Sequence, residues 1–209
     1  MIYRFPTINQ QPQIMNRDEQ PKKLSFLDFA ASLSELESEV KVDLHSRLFT
    51  KEYNKGELIL EAGKTCSRIY FVDTGLVKTF FHNGDREFIM RFFSEGNMFT
   101  VLDSFVTRKP SAYSILAIEP TTITYLNYSD LEELCSRYHV IETFYRKLLS
   151  IAAINMMDRV GGTLEEKAQV AYHKFLKQQG KLLQRISLVD LASYLGITQV
   201  SLSRIRSLK

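Results

Sequence analysis

Between Arg47 and Asn127, glycine-bearing turn signals cut the chain into short β-rich runs: Lys55-Gly56, Ala62-Gly63, Thr74-Gly75, Asn83-Gly84 and Glu95-Gly96. Their spacing of roughly 8–12 residues is too short for the helical crossover that parallel strands require. The runs must therefore pair antiparallel, which points to a sandwich or barrel rather than βαβ units. Asn83-Gly84, set between KTFFH and EFIMRFF, is the strongest hairpin signal in the chain. Tight hairpin turns need residues that tolerate positive φ, and this pair does. TTITY at 121–125 reads as the last strand.

On both sides of this region the period is helical. Residues 1–24 are rich in Gln, Asn and Pro, show no sustained period and read as a flexible arm. From Ser25, the residues Phe26, Phe29, Ala30, Leu33, Leu36, Val40 and Leu44 recur at helical spacing. Ser34 and Glu37 stand at capping-box spacing for a second short helix. After the strands, a short helix starts at Tyr128-Ser129-Asp130. A longer one then spans about 138–160, with Ile141, Phe144, Tyr145, Leu148, Ile151 or Ala152, and Met156 forming a coiled-coil-like seam. Asn155 in that seam would favour one register. Such a seam predicts a partner helix, although packing on the β-module would use the same residues. Gly161-Gly162 is expected to end this helix as a hinge, and Thr163–Glu166 to cap the next one, which stops at Gly180.

Ser187–Arg206, SLVDLASYLGITQVSLSRIR, reads as two short helices joined by a tight turn. Ser187 is a good N-cap with Asp190 three residues on. Val189, Leu191, Ala192 and Leu195 give the first helix its apolar face, Gly196 breaks it, and Thr198 recaps the chain. Val200, Leu202 and Ile205 suit the core side of the second helix. Gln199, Ser203 and Arg204 share its polar side, with Arg206 near its end. Gln bonds adenine and Arg bonds guanine bidentately, while small hydroxyls suit phosphates. This is the helix-turn-helix pattern, whose second helix enters a DNA major groove.

Composition narrows the function classes. The chain has 209 residues, 44% of them hydrophobic and 24% charged, which is ordinary for a soluble protein with a sizeable core. No apolar run approaches the roughly 18 residues of a membrane span. The first residues lack the apolar core of a secretory leader, so cytoplasmic residence is the default expectation. Cys66 and Cys135 are the only cysteines, too few for iron–sulfur ligation. They and the four scattered histidines show no metal-ligand spacing. No nucleophile–base pair and no phosphate-binding glycine loop is present, so there is no catalytic residue to name. The net charge is only +3, but residues 180–209 hold Lys181, Arg185, Arg204, Arg206 and Lys209 against Asp190 alone. A basic end on a mildly acidic body fits a phosphate-binding head.

The order of β-module, long helix and C-terminal helix-turn-helix resembles the cyclic-AMP receptor and FNR-type (Crp/Fnr) transcription regulators. KGELILEAGKTCSRIYFVDTGLVKTFF at 55–81 resembles the opening hairpins of their cyclic-nucleotide-binding β-roll. NGDREFIMRFFSEGNMF at 83–99 is similar to the strands leading to its phosphate cassette, and LASYLGITQVSLSRI to their DNA-binding element. The resemblance implies an effector pocket at Gly96, Asn97, Ser111 and Ala112. Here Asn97 replaces the Glu that contacts ribose, and Pro110 replaces the Arg that neutralises the cyclic phosphate. A buried phosphate without a guanidinium loses several kcal/mol, so cyclic AMP is not the expected ligand. By the same resemblance, Gln199, Val200 and Arg204 occupy base-reading positions, while Ser187, Thr198 and Ser201 match phosphate contacts. Val200 stands where Glu is common, so the target sequence should differ from the familiar one.

The expected fold is therefore α+β. It comprises an arm (1–24), an antiparallel β-roll of jelly-roll type with flanking helices (25–137), a dimerisation helix and hinge (138–162), and an all-α helix-turn-helix domain (163–209). The expected function is that of a homodimeric regulator, not an enzyme, binding palindromic double-stranded DNA through Ser187, Thr198, Gln199, Val200, Ser201, Ser203, Arg204 and Arg206. RNA polymerase is an implied partner, no cofactor or metal is implied, and the effector is unknown or absent. The competing reading is a ligand-binding signalling module whose terminal helices contact a protein instead of DNA.

Overall fold

A computed structural model describes residues 24–165 and 168–207. The turn glycines do what their positions require. Gly56, Gly63, Gly75, Gly84 and Gly96 all adopt positive φ, between 60° and 96°, a region that costs residues with a Cβ about 1–2 kcal/mol. Between and beyond these turns lie eight strands in two antiparallel four-stranded sheets. The strands are β1 (Leu48–Tyr53), β2 (Leu58–Leu60), β3 (Arg68–Thr74), β4 (Leu76–Asn83), β5 (Arg86–Ser94), β6 (Met98–Phe99), β7 (Ser114–Ala117) and β8 (Thr121–Asn127). One sheet has the order β1-β8-β3-β6 and the other β2-β7-β4-β5. The β4–β5 hairpin closes one step later than the Asn-Gly signal suggests. Asn83 pairs with Arg86, so the two loop residues are Gly84 and Asp85, with Gly84 at φ 60°.

The sheets face each other across a filled interior. Tyr70 stacks on Phe99 at 5.4 Å between ring centroids, and Phe99 stacks on Phe93 at 4.2 Å. The outer faces are covered as well. Helix α1 (Phe26–Leu33), capped by Ser25 and Asp28 in a full capping box, lays Phe26 and Phe29 against Phe71. Helix α4 (Tyr128–Arg137) and the long helix α5 (His139–Glu165) bury Leu131, Leu134, Ile141 and Phe144 in the same core. Because both of its faces are covered, β4 buries five consecutive residues, Leu76 to Phe80. An alternating strand would bury every second one.

Several sequence expectations need correction. Ser34 does not open a helix. It ends α1, its N–H donating to Ala30 O and its hydroxyl to Val140 O, and helix α2 (Ser38–Ser46) starts from Glu37 without a side-chain cap. Gly161 and Gly162 do not end α5, which continues to Glu165. A glycine costs a helix interior only about 1 kcal/mol, which packing elsewhere offsets. Thr163 therefore lies inside a helix. The expected cap partner, Glu166, lies outside the described residues, as do residues 1–23 of the N-terminal arm and Lys209. A six-residue helix α3 (Leu102–Thr107) also lies between β6 and β7, where the sequence carried no cap signal.

The C-terminal elements are α6 (Ala168–Gln179), a 3₁₀ turn (Gly180–Gln184), α7 (Leu188–Leu195) and α8 (Gln199–Ser207). Their core is continuous with the outer face of β4 and β5: Leu76, Phe80, Ile89 and Phe92 are buried together with Tyr172, Phe175, Ile186, Leu191 and Leu202.

Candidate nucleic-acid interface

The α7–α8 pair is built by local hydrogen bonds that its sequence dictates. Asp190 N–H donates to Ser187 Oγ at 3.0 Å, and the Ser187 hydroxyl donates to Asp190 Oδ2 at 2.7 Å. Gly196 leaves α7 at φ 70°, and Ile197 N–H returns to Ala192 O at 3.0 Å, which is the Schellman arrangement. Ser201 N–H then donates to Thr198 Oγ1 at 3.2 Å to start α8. Ala192 is 3% exposed and Leu202 1%, and both belong to one buried cluster. Two residues assigned to the apolar faces lie outside this core: Val189 is 58% exposed and Val200 62%.

What α8 and its lead-in present to solvent is polar apart from Val200. Thr198, Gln199, Val200, Ser203, Arg204 and Arg206 are exposed, while Ser201 is half-buried with its hydroxyl 3.0 Å from that of Thr198. Among the described residues, the side chains of Gln199, Ser203, Arg204 and Arg206 have no hydrogen-bond or ion-pair partner. Their donors and acceptors are therefore available to base edges and phosphates. Ser187 is exposed at the start of α7.

The basic character of this end is narrower than the sequence suggests. Arg185 faces the roll, where its guanidinium bonds Glu95 at 2.8 and 2.9 Å and Glu119 at 2.5 and 3.3 Å. The Glu95 and Glu119 bonds raise its pKa above the usual arginine value, so it is a fixed internal cation. Asp190 is neutralised in turn by Lys78 at 2.8 Å.

The cassette region of the roll is equally well defined. Gly96 (φ 77°) and Asn97 form the turn between β5 and β6, bonded to Val72 through Gly96 N–H and Asn97 O, with the Asn97 side chain on Glu95 O at 3.4 Å. Ser111 is 3% exposed. Its N–H goes to Lys64 O at 3.0 Å, and its hydroxyl donates to Tyr113 O and accepts from Tyr113 N–H. Ala112 is exposed. Pro110 has no N–H to offer. The Ser111 donors that an anion would use are thus bonded to neighbouring backbone. Arg108, the nearest arginine in sequence, sits at φ 59° and donates to Cys66 O and Phe105 O.

Residues 50–138 match the cyclic nucleotide-binding domain family model. The chain also superposes on solved structures over most of its length. FixK2 from Bradyrhizobium japonicum shares 22% identity over 77% of this chain and 83% of its own, with a TM-score of 0.66. A candidate transcriptional regulator of the crp/fnr family from Eubacterium rectale shares 16% over 82% of each chain, with a TM-score of 0.66. The chain has the Crp/Fnr fold. A CooA mutant from Carboxydothermus hydrogenoformans has it too, at 16% identity over 87% of this chain and 83% of its own, TM-score 0.64. Among curated proteins, none matches this chain.

Proposed function

We propose that the chain is a sequence-specific DNA-binding transcription regulator acting as a homodimer, with α8 as the reading helix. The observation that carries this reading is the exposed row Gln199, Ser203, Arg204 and Arg206. A helix-turn-helix holds it, and among the described residues no protein group engages its side chains. Gln199 and Arg204 are the base readers, Val200 packs on a thymine methyl, and Ser187, Thr198, Ser201 and Arg206 contact phosphates. The dimer reading draws on the second half of α5, where Ile154, Met156, Met157 and Val160 are 43–72% exposed. An apolar stripe of that kind on a long helix favours a partner helix. Two copies would set their reading helices about one helical turn, roughly 34 Å, apart on a palindrome. The roll binds an effector other than cyclic AMP or serves as a ligand-free scaffold, and RNA polymerase would be the downstream partner. No helix among the described residues is long and apolar enough to cross a membrane.

Selection of bound sequences from a random double-stranded pool tests the reading. Recovery of a palindromic motif supports it, and unenriched sequence after several rounds would sink it. A second reading, in which the terminal helices contact a protein, is favoured by the exposure of Leu188, Val189 and Val200, each above 50%. Salt separates the two: DNA affinity falls steeply between about 50 and 200 mM salt, whereas an apolar protein contact does not weaken that way.

A further inference from the structure

Lys78 lies in the middle of β4, is 9% exposed, and points away from the inside of the roll. Its ammonium is 2.7 Å from Glu87 Oε1, across the hairpin on β5, and 2.8 Å from Asp190 Oδ1, on the first turn of α7. Burial works to lower its pKa, but the two carboxylates outweigh burial and hold the group charged, above its ordinary value. A buried ammonium is strongly unfavourable unless paired, and this one draws its two partners from different modules. Next to it, the Ser193 hydroxyl donates to Glu87 O at 2.5 Å, a second directional bond between α7 and β5. The apolar groups nearby, Phe80, Phe92 and Leu191 among them, are buried in one cluster that both modules build. Apolar burial is non-directional and would tolerate sliding of α7 along the hairpin. A buried charge pair would not, because each displaced position strands an ion.

We propose that Lys78 is a positioning residue for the helix-turn-helix: acting through Asp190, it fixes the register of α7 on the β4–β5 hairpin and so holds the reading helix in one pose relative to the roll. The pose leaves Gln199, Val200 and Arg204 exposed, so the contact orients the reading face without covering it. In a dimer built on the regulator reading above, the same latch sets which half-site spacing the two heads accept. The roll then communicates with the head through the hairpin directly, and not only through α5.

The test uses the full-length chain and three variants: Lys78→Met, which keeps the apolar stem; Asp190→Asn, which removes the charge on the head; and Lys78→Arg, which keeps the cation. Hydrogen exchange is read by mass spectrometry over 187–195, with β3 as the internal reference. Exchange over 187–195 should rise about tenfold or more in K78M and D190N, with β3 unchanged, and K78R should stay near wild type. Half-site spacing, read by selection from a random pool, should broaden in the same two variants. Wild-type exchange over 187–195 in both K78M and D190N would overturn the proposal. If β3 also exchanges fast in K78M, that variant reports general unfolding and D190N decides. Faster exchange in variants of a chain that binds no DNA would uphold the latch while sinking the regulator reading.

Discussion

The guanidinium carbon of Arg108 lies 4.0 Å from the ring centroid of Tyr128, and its Nη1 donates to the carbonyls of Cys66 and Phe105 at 2.9 and 3.2 Å. The arginine closest to the cassette thus joins α3, the Cys66 loop and α4. Arg108→Ala should therefore cost about 1–3 kcal/mol in urea unfolding, from lost charged hydrogen bonds and the lost cation–π contact. Arg108→Gly should cost roughly 1 kcal/mol less, because φ 59° favours glycine. Equal losses would mean that the backbone strain is absent.

The same geometry bears on the ligand. Pro110 offers no N–H, and the Ser111 N–H is taken by Lys64 O. Titration calorimetry of the wild-type chain with cyclic AMP and cyclic GMP should give no saturable heat. Tight stoichiometric binding of either would show that another cation replaces the missing guanidinium.

Gly75, between β3 and β4, is the turn with no room to spare. A Cβ there would fall 2.6 Å from Pro120 O and 2.7 Å from Thr121 Cα, on a backbone at φ 96°. Gly75→Ala should destabilise the roll by more than about 3 kcal/mol, since backbone on both sides must move. Gly84→Ala at the hairpin tip, where nothing lies within 4 Å of the new Cβ, should cost only about 1–2 kcal/mol for its φ. Comparing urea midpoints of the two variants separates steric from conformational cost.

How far the chain could be read in advance follows from how local each cause is. Turn glycines and the Ser187, Gly196 and Thr198 punctuation act within a few residues, so the strand module and the helix-turn-helix were legible. Lys78 was not, because its partner Asp190 is 112 residues away and nothing in LVKTF announces a second buried face. Arg185 was misjudged for the same reason: in sequence it is one more cation beside the reading helix, and only the fold delivers Glu95 and Glu119 to it. The five buried residues in a row on β4 follow from cover on both of its faces, which the fold supplies and that run of sequence does not signal. Helix α3 had no signal either, since Val101 at its N-cap makes no side-chain bond.

Acid should loosen the head from the roll. Burial alone would raise the Glu95 pKa, but hydrogen bonds from Arg185 and from Gly75 N–H outweigh it and hold the carboxyl below its ordinary value. A depressed folded pKa gives stability that is present above the unfolded Glu value, about 4.3, and lost as pH falls through the folded one. Glu95→Gln should therefore flatten the decline of unfolding free energy below about pH 4.3. It should cost less than about 1 kcal/mol at pH 7, since the carboxylate is 43% exposed and screened. Parallel wild-type and E95Q curves from pH 7 to 3 would remove Glu95 from the linkage.

The two arginines of α8 should behave differently although both are exposed and, among the described residues, without an ion-pair partner. Arg204 stands one turn after Val200 on the exposed part of α8, and on the regulator reading it meets a base edge. Arg204→Ala should cost about 1–3 kcal/mol on the selected site and relax preference at one base position per half-site. Arg206, near the helix end, should meet phosphate. Arg206→Ala should weaken all sequences alike and reduce the slope of log affinity against log salt by about 1 per subunit. Fluorescence titrations at several salt concentrations, on the selected site and on point variants of it, distinguish the two patterns. If Arg204→Ala weakens every sequence equally while Arg206→Ala alters preference, the helix lies in the groove with a different face inward. Val200 would then lose its assigned role together with Arg204, because the two stand one turn apart on a helix that cannot turn residue by residue.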